Sequence, residues 1–178
     1  MIAWLALIPA FEREAQGRSY VHTAASLHRS HLHGEVPLGL RSSSPEVVTA
    51  WLAGKVPFEF RLPVSQSVPS DDLSYHIAGV SQVSYQGRGA ALVIYQRRNE
   101  TISLLVASSK SAVVAGGEEV PSGNLVFHYR SEDGLRVITW TIHGLSYALV
   151  SALSGSARES CMVCHQRRAD VNQFHVAQ

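Results

Sequence analysis

The chain has 178 residues, of which 46% are hydrophobic and 16% charged, and a formal net charge of +1. This length predicts one globular domain with appendages, and the composition excludes a disordered chain. The balance of 15 basic against 14 acidic residues gives no electrostatic reason for nucleic-acid binding, so we expect no nucleic-acid partner.

The chain begins with eleven uncharged residues, Met1 to Phe11, that are mostly apolar. They are too few to cross a bilayer, which takes roughly 20 residues, and they lack the basic start of a signal peptide. Two interpretations stay open: the end of a membrane span that begins outside this sequence, or a buried or interfacial helix. We therefore treat residues 1–18 as a separate N-terminal segment that offers a membrane contact.

Two helices are predicted next in the chain. The first covers residues 19–33 and ends at Gly34. For the second, Ser44 fits the N-cap, Pro45 fits the first helical position and Gly54 follows the end. Its apolar residues fall at helical spacing and form one face: Val47, Val48, Trp51 and Leu52.

From residue 56 onward the pattern changes to strands. Alternating apolar residues predict a strand over residues 56–62, and residues 108–123 read as a Gly- and Ser-rich loop. Six further strands, joined by turn sequences, are predicted over residues 75–85, 90–96, 101–107, 125–130, 135–142 and 145–150.

The predicted fold class is α+β: a curved antiparallel sheet of six to seven strands in two meanders, with two N-terminal helices, over residues 19–152. Residues 153–178 form a C-terminal tail with weak periodicity. We expect the following residues to be buried, with the Trp51 face of the short helix near one end: Phe58, Phe60, Ile94, Leu104, Val106, Val137 and Val150.

The order of several sequence pieces over about residues 20–152 resembles the extracytoplasmic region of bacterial transmembrane anti-sigma factors. These pieces include His28 and His31 before Glu35-Val36-Pro37-Leu38, Ser44-Pro45-Glu46-Val47-Val48, Trp51-Leu52-Ala53-Gly54-Lys55-Val56-Pro57-Phe58, Tyr85-Gln86-Gly87-Arg88, Val137-Ile138-Thr139-Trp140 and Gly144-Leu145-Ser146-Tyr147. The resemblance implies a sensor or regulatory domain in the periplasm, anchored to the membrane, with a protein partner or a second copy as its contact. Sigma-factor binding belongs to a different domain of that family and is not carried over.

Both cysteines of the chain lie in the tail, in the sequence Cys161-Met162-Val163-Cys164-His165. This is the attachment pattern of a c-type haem, in which two thiols bond the macrocycle and the next histidine binds the iron. The pattern favours covalent haem c at Cys161 and Cys164, with His165 as the proximal ligand.

Three other interpretations of the cysteine pair stay open. Cys-x-x-Cys also serves as a reversible thiol/disulfide switch. A zinc ion would need ligands from elsewhere, because Cys164 and His165 are adjacent and cannot easily face one tetrahedral ion. The last alternative is a pair of inert thiols with no cofactor.

A sixth iron ligand would come from another histidine, because Met162 lies within the attachment loop and the other methionine is Met1. His175 is nearest in sequence and is the candidate distal ligand. The remaining candidates require the fold to bring them close: His28, His31, His33, His128 and His143.

Enzyme motifs are weak in this sequence. Gly87-Arg88-Gly89 lacks the third glycine of a dinucleotide site and reads as a turn, and Gly144-Leu145-Ser146 lacks the second glycine of a nucleophile elbow. We therefore predict a non-enzymatic protein, and the function classes are a sensor domain, a monohaem electron-transfer protein or a thiol switch.

Overall fold

The structure, a computed structural model, describes residues 3–60, 62, 75–97 and 99–152. Two helices precede seven strands in the chain: α1 (Ala3–Leu32), α2 (Pro45–Leu52), β1 (His76–Tyr85), β2 (Arg88–Arg97), β3 (Glu100–Ser108), β4 (Glu118–Ser122), β5 (Leu125–Glu132), β6 (Leu135–Ile142) and β7 (Leu145–Ala152). The strands form one antiparallel sheet, so the prediction of an α+β fold with an antiparallel sheet is confirmed.

The strand order is β1-β2-β3-β7-β6-β5-β4, which places the last strand in the centre of the sheet. β7 joins the two meanders because it pairs with β3 on one side and β6 on the other. Three hairpins turn through Gln86-Gly87, Asp133-Gly134 and His143-Gly144, in which both residues have positive φ, as tight antiparallel hairpins require.

The sheet is covered on both faces. α1 packs on one face, where Ile94, Val137 and Val150 are buried. α2 and the chain after it pack on the other face, where Leu104 and Val106 are buried. Burial is thus confirmed for these predicted core residues and for Phe60, whereas Phe58 is partly buried.

The first helix begins at Ala3, well before the predicted start near residue 19. Residues 12–16 read Glu-Arg-Glu-Ala-Gln, which have high helix propensity and continue the helix toward the N-terminus. At 1.5 Å per residue the 30 residues of α1 span about 45 Å, more than the length of any strand.

The predicted strand at residues 56–62 is wrong, because the described residues 56–60 and 62 contain no strand. The alternating apolar residues nevertheless indicate burial correctly, since Val56, Phe60 and Leu62 are all buried. Pro57 lacks a backbone N–H for a sheet ladder, so these side chains reach the core from an irregular segment.

A short edge strand, β4, lies where the sequence predicts only a loop. Its residues Glu118-Glu119-Val120-Pro121-Ser122 combine charge with proline and give little strand signal. The same residues suit a sheet edge, because acidic side chains and proline discourage pairing with another chain.

The second helix is confirmed with its cap. Ser44 Oγ accepts a hydrogen bond of 3.2 Å from the backbone N–H of Val47. Val48 and Leu52 are buried, Trp51 packs against the same cluster, and Val47 is 48% exposed.

Gly17 is buried in α1 where the loop between β3 and β4 crosses the helix. A Cβ atom on Gly17 would overlap with the carbonyl oxygen of Ala115, a backbone atom that cannot rotate away. Glycine is therefore required here by close approach, although it weakens the helix itself.

We predict that Gly17→Ala destabilises the protein. Alanine adds about 1 kcal/mol of helix propensity, but overpacking against the Ala115 backbone costs more. The free energy of unfolding in urea should fall by about 1–2 kcal/mol. Gln16→Ala, on the adjacent exposed position, is the control and should leave stability within about 0.5 kcal/mol. A Gly17→Ala protein as stable as the control would contradict the close contact.

Candidate functional site

The predicted cofactor residues Cys161, Cys164 and His165, and the candidate distal ligand His175, lie outside the described residues. What the fold does show is where the chain that leads to them leaves the sheet. That place is Ala152, the last residue of β7, which pairs with Leu135 at the start of β6.

Contacts with the sheet give the direction of α1. The Tyr20 hydroxyl lies 2.8 Å from the carbonyl oxygen of Ser146, near the beginning of β7. Eight residues later in the helix, His28 contacts Ser103, which pairs with Val150 near the end of β7. Helix and strand thus run in the same direction, and their C-terminal ends lie at the same end of the sheet.

His28 is a buried, neutral histidine at this helix–sheet contact. It is 2% exposed, and its Nδ1 atom lies 2.7 Å from Ser103 Oγ. Burial, reinforced by the nearby charges of His31 and Arg29, lowers the pKa of His28 from 6.5 to about 4. Because it is buried and contacts the Ser103 hydroxyl, His28 has a structural role and is not accessible to a metal ion.

His31, one turn further along α1, has a different environment. Its Nδ1 atom lies 2.9 Å from the carbonyl oxygen of Val36, and the residue is partly exposed. A carbonyl only accepts, so Nδ1 carries the proton and Nε2 of the neutral ring keeps a lone pair. This is the tautomer in which histidine binds metals, with Nδ1–H oriented by a second group.

His143 and His128 are not brought together with His31, whereas His33 follows it by two residues and is exposed. His143 lies in the turn between β6 and β7, at the opposite end of the sheet from Ala152. His128 lies on β5, with Nδ1 3.1 Å from the carbonyl oxygen of Gly116. In the described part of the chain, no three His, Cys, Asp or Glu side chains are grouped to hold a metal ion.

Ser146, the serine of the incomplete elbow motif, has a structural role. It is fully buried, and its Oγ donates a hydrogen bond of 2.6 Å to the carbonyl oxygen of Ala112. The nearest other hydroxyl, Thr141 Oγ1, is 3.2 Å away. These contacts join β7 to the loop after β3 and leave Ser146 Oγ inaccessible to a substrate.

Aromatic rings occupy the sheet face opposite α1. Trp140 and Tyr147 are stacked, with centroids 5.1 Å apart and planes 4° from parallel. Phe127 packs on Trp140 and Phe60 on Tyr147. Trp140 and Phe60 belong to the core cluster on that face, and Tyr147 and Phe127 are partly buried against it.

No family model, curated protein or solved structure matches this chain. No helix among the described residues is long and apolar enough to cross a membrane. The function is therefore inferred from the residues of the chain itself.

We predict that His28 makes stability fall in mild acid. Its folded pKa of about 4 is below the unfolded value of 6.5, so the unfolded chain takes up the proton first. The free energy of unfolding should decrease as the pH falls from about 6.5 to about 4, by at most about 3 kcal/mol.

His28→Gln keeps a polar partner for Ser103 and removes the titration, and should lose correspondingly less stability over this interval. His33→Gln, at an exposed position directly after the end of α1, is the matched control and should behave like the parent. Urea unfolding measured between pH 7 and pH 4 checks the difference. An equal decline in the parent and His28→Gln would show that His28 is not buried in neutral form.

We predict that Ser146→Ala acts on stability and not on catalysis. Removal of Oγ leaves the buried carbonyl of Ala112 without this donor, which costs about 1–3 kcal/mol. Ser131→Ala, on the exposed face of β5, should be neutral. Hydrolysis of ester or phosphate substrates that disappears in Ser146→Ala, without loss of stability, would contradict this role.

Proposed function

We propose that the chain is a non-enzymatic extracytoplasmic sensor or regulatory domain, similar to that of transmembrane anti-sigma factors, with covalent haem c in its tail. Cys161 and Cys164 hold the macrocycle and His165 is the proximal iron ligand. Haem supplies an iron centre that changes oxidation state or binds a diatomic gas.

The observation that carries this proposal is the sequence Cys161-Met162-Val163-Cys164-His165, and the end of β7 beside the C-terminal half of α1 supports it. Arg29 of α1 lies 3.4 Å from Asp133, in the turn that leads to Leu135, the partner of Ala152. Cys161 follows Ala152 by nine residues, which span at most about 30 Å. A connection of this length allows the cysteine pair to reach the histidines at the C-terminal end of α1.

The position of the end of β7 favours His31 among the sixth-ligand candidates that depend on the fold. His175 remains the candidate nearest in sequence. Among the described histidines, His31 has the orientation and tautomer that ligation needs, because Val36 holds its Nδ1–H. His28 is less suitable, since burial and Ser103 already occupy it.

The non-enzymatic assignment is supported by the environment of Ser146, which is buried and hydrogen bonded to Ala112. A hydrolase needs a nucleophile, a base and an orienting group around accessible space. Ser146 Oγ is buried and cannot meet a substrate. This favours a binding role for the domain over a catalytic one.

Membrane attachment is supported by the N-terminal part of α1. The apolar sequence at residues 3–10 is helical and continuous with the helix that packs on the sheet. Phe11, the first residue after it, is 65% exposed. Because this apolar segment and the part of α1 that packs on the sheet form one helix, a conformational change in the domain would be transmitted to a membrane or a protein partner bound at the segment.

We predict covalent haem attachment when the full chain is made with a haem-maturation system. Intact mass should increase by one haem, and the pyridine haemochrome spectrum should be that of a c-type haem. Cys161→Ser with Cys164→Ser should abolish the mass gain. Val163→Ala, within the same loop, is the control and should keep it.

Two results separate the alternatives. No mass gain, or a gain that survives the double serine variant, contradicts the haem proposal. In the first case, a reversible loss of two hydrogens on oxidation, absent from the double variant, would identify the thiol/disulfide switch instead. Where haem is attached, His31→Ala compared with the control His143→Ala, at the opposite end of the sheet from Ala152, tests the sixth ligand by the change in absorption spectrum.

A further inference from the structure

An open pocket of about 520 Å³ lies between α1, the loop after β3 and strands β5 and β6. This size is within the range of small-molecule sites in proteins. Its wall is made by side chains from all of these elements, which include Arg13, Ser109, Val114, Val126, His128 and Thr141.

Among the described residues, the pocket wall carries one formal positive charge and no carboxylate. The charge is Arg13, an exposed residue of α1. The neighbouring arginines are already paired, since Arg18 and Arg130 lie 3.5 and 3.6 Å from Glu14. Within the described residues Arg13 has no such carboxylate, so its guanidinium is available to an anion that enters the pocket.

The rest of the wall combines hydroxyl groups with aliphatic surface. Thr141 and Ser109 supply hydroxyls, and Val114 and Val126 supply methyl groups. Val126 is 44% exposed, so the apolar part of a ligand would cover aliphatic surface that now contacts water. Burial of such surface contributes about 25 cal/mol per Å².

Two contacts fix part of the pocket wall: a hydrogen bond of His128 and the close packing of the loop after β3 on Arg130. Nδ1 of His128 donates to the carbonyl oxygen of Gly116, which fixes the ring. A Cβ on Gly117 would come within 2.7 Å of Arg130, so the two glycines let this loop wrap closely around that arginine. The loop that supplies part of the wall is therefore packed closely against β5.

We propose that this pocket binds a small carboxylic acid with a short apolar body, with its carboxylate on Arg13 and its apolar part against Val114 and Val126. The proposal rests on the sensing role for its biological meaning, and it names the chemical class of a ligand that the domain would sense. The described wall residues all lie outside the tail, so we expect binding to require no haem.

The test uses the full chain without haem and three probes: hexanoate, 1-hexanol and inorganic phosphate. Isothermal titration should show saturable binding of hexanoate, and 1-hexanol and phosphate should bind at least tenfold more weakly. Methyl NMR signals of Val114 and Val126 should shift with hexanoate at the same midpoint, which locates the ligand.

Arg13→Gln should weaken hexanoate binding at least tenfold, while the unfolding midpoint stays unchanged because the side chain is exposed. Arg18→Gln, which removes a cation of the same helix outside the pocket wall, is the control and should bind like the parent. No saturable binding up to about 10 mM hexanoate overturns the proposal. Equal binding in Arg13→Gln, or phosphate binding as tight as hexanoate binding, also overturns it. These results are independent of the haem assay, so the two proposals fail separately.

Discussion

The hydroxyl of Tyr20 is the contact on which the arrangement of helix and sheet depends. It lies 3.0 Å from the carbonyl oxygen of Leu105 on β3 and 2.8 Å from that of Ser146 on β7, the two central strands. The side chain is fully buried, and burial raises the pKa of Tyr20 well above 10. Because a buried hydroxyl without a partner is costly, the helix is held where the two carbonyl oxygens can share the single hydroxyl proton of Tyr20.

This contact fixes α1 on the sheet, so different regions of one helix face different surroundings. Before Tyr20, Arg13 lines the pocket beside the loop after β3. After Tyr20, His28 is buried against Ser103, and the helix ends near the last residues of β7. A ligand in the pocket and a cofactor in the tail would thus act on the same rigid element.

Patterns within single elements were predictable from sequence, whereas contacts between distant elements were not. The cap of α2 at Ser44 and the full length of β6 follow from local signals. β4 escapes prediction because Pro121 and the acidic pair mask a strand that only an edge position tolerates. Tyr20 and Arg13 carry no local signal, since their roles come from residues more than 80 positions away, as in the contact of Tyr20 with Leu105. The cysteine and histidine residues of the tail remain predictions.

Native-state hydrogen exchange tests most directly whether α1 and the sheet are one unit. If they are, the amides of Ala24 and Ala25 in α1 should open with the same free energy as those of Leu105 and Ala148, which pair across β3 and β7. Tyr20→Phe should lower all four values together, because it removes the shared contact. Faster exchange of the α1 amides alone, with the central strands still protected in Tyr20→Phe, would contradict this account.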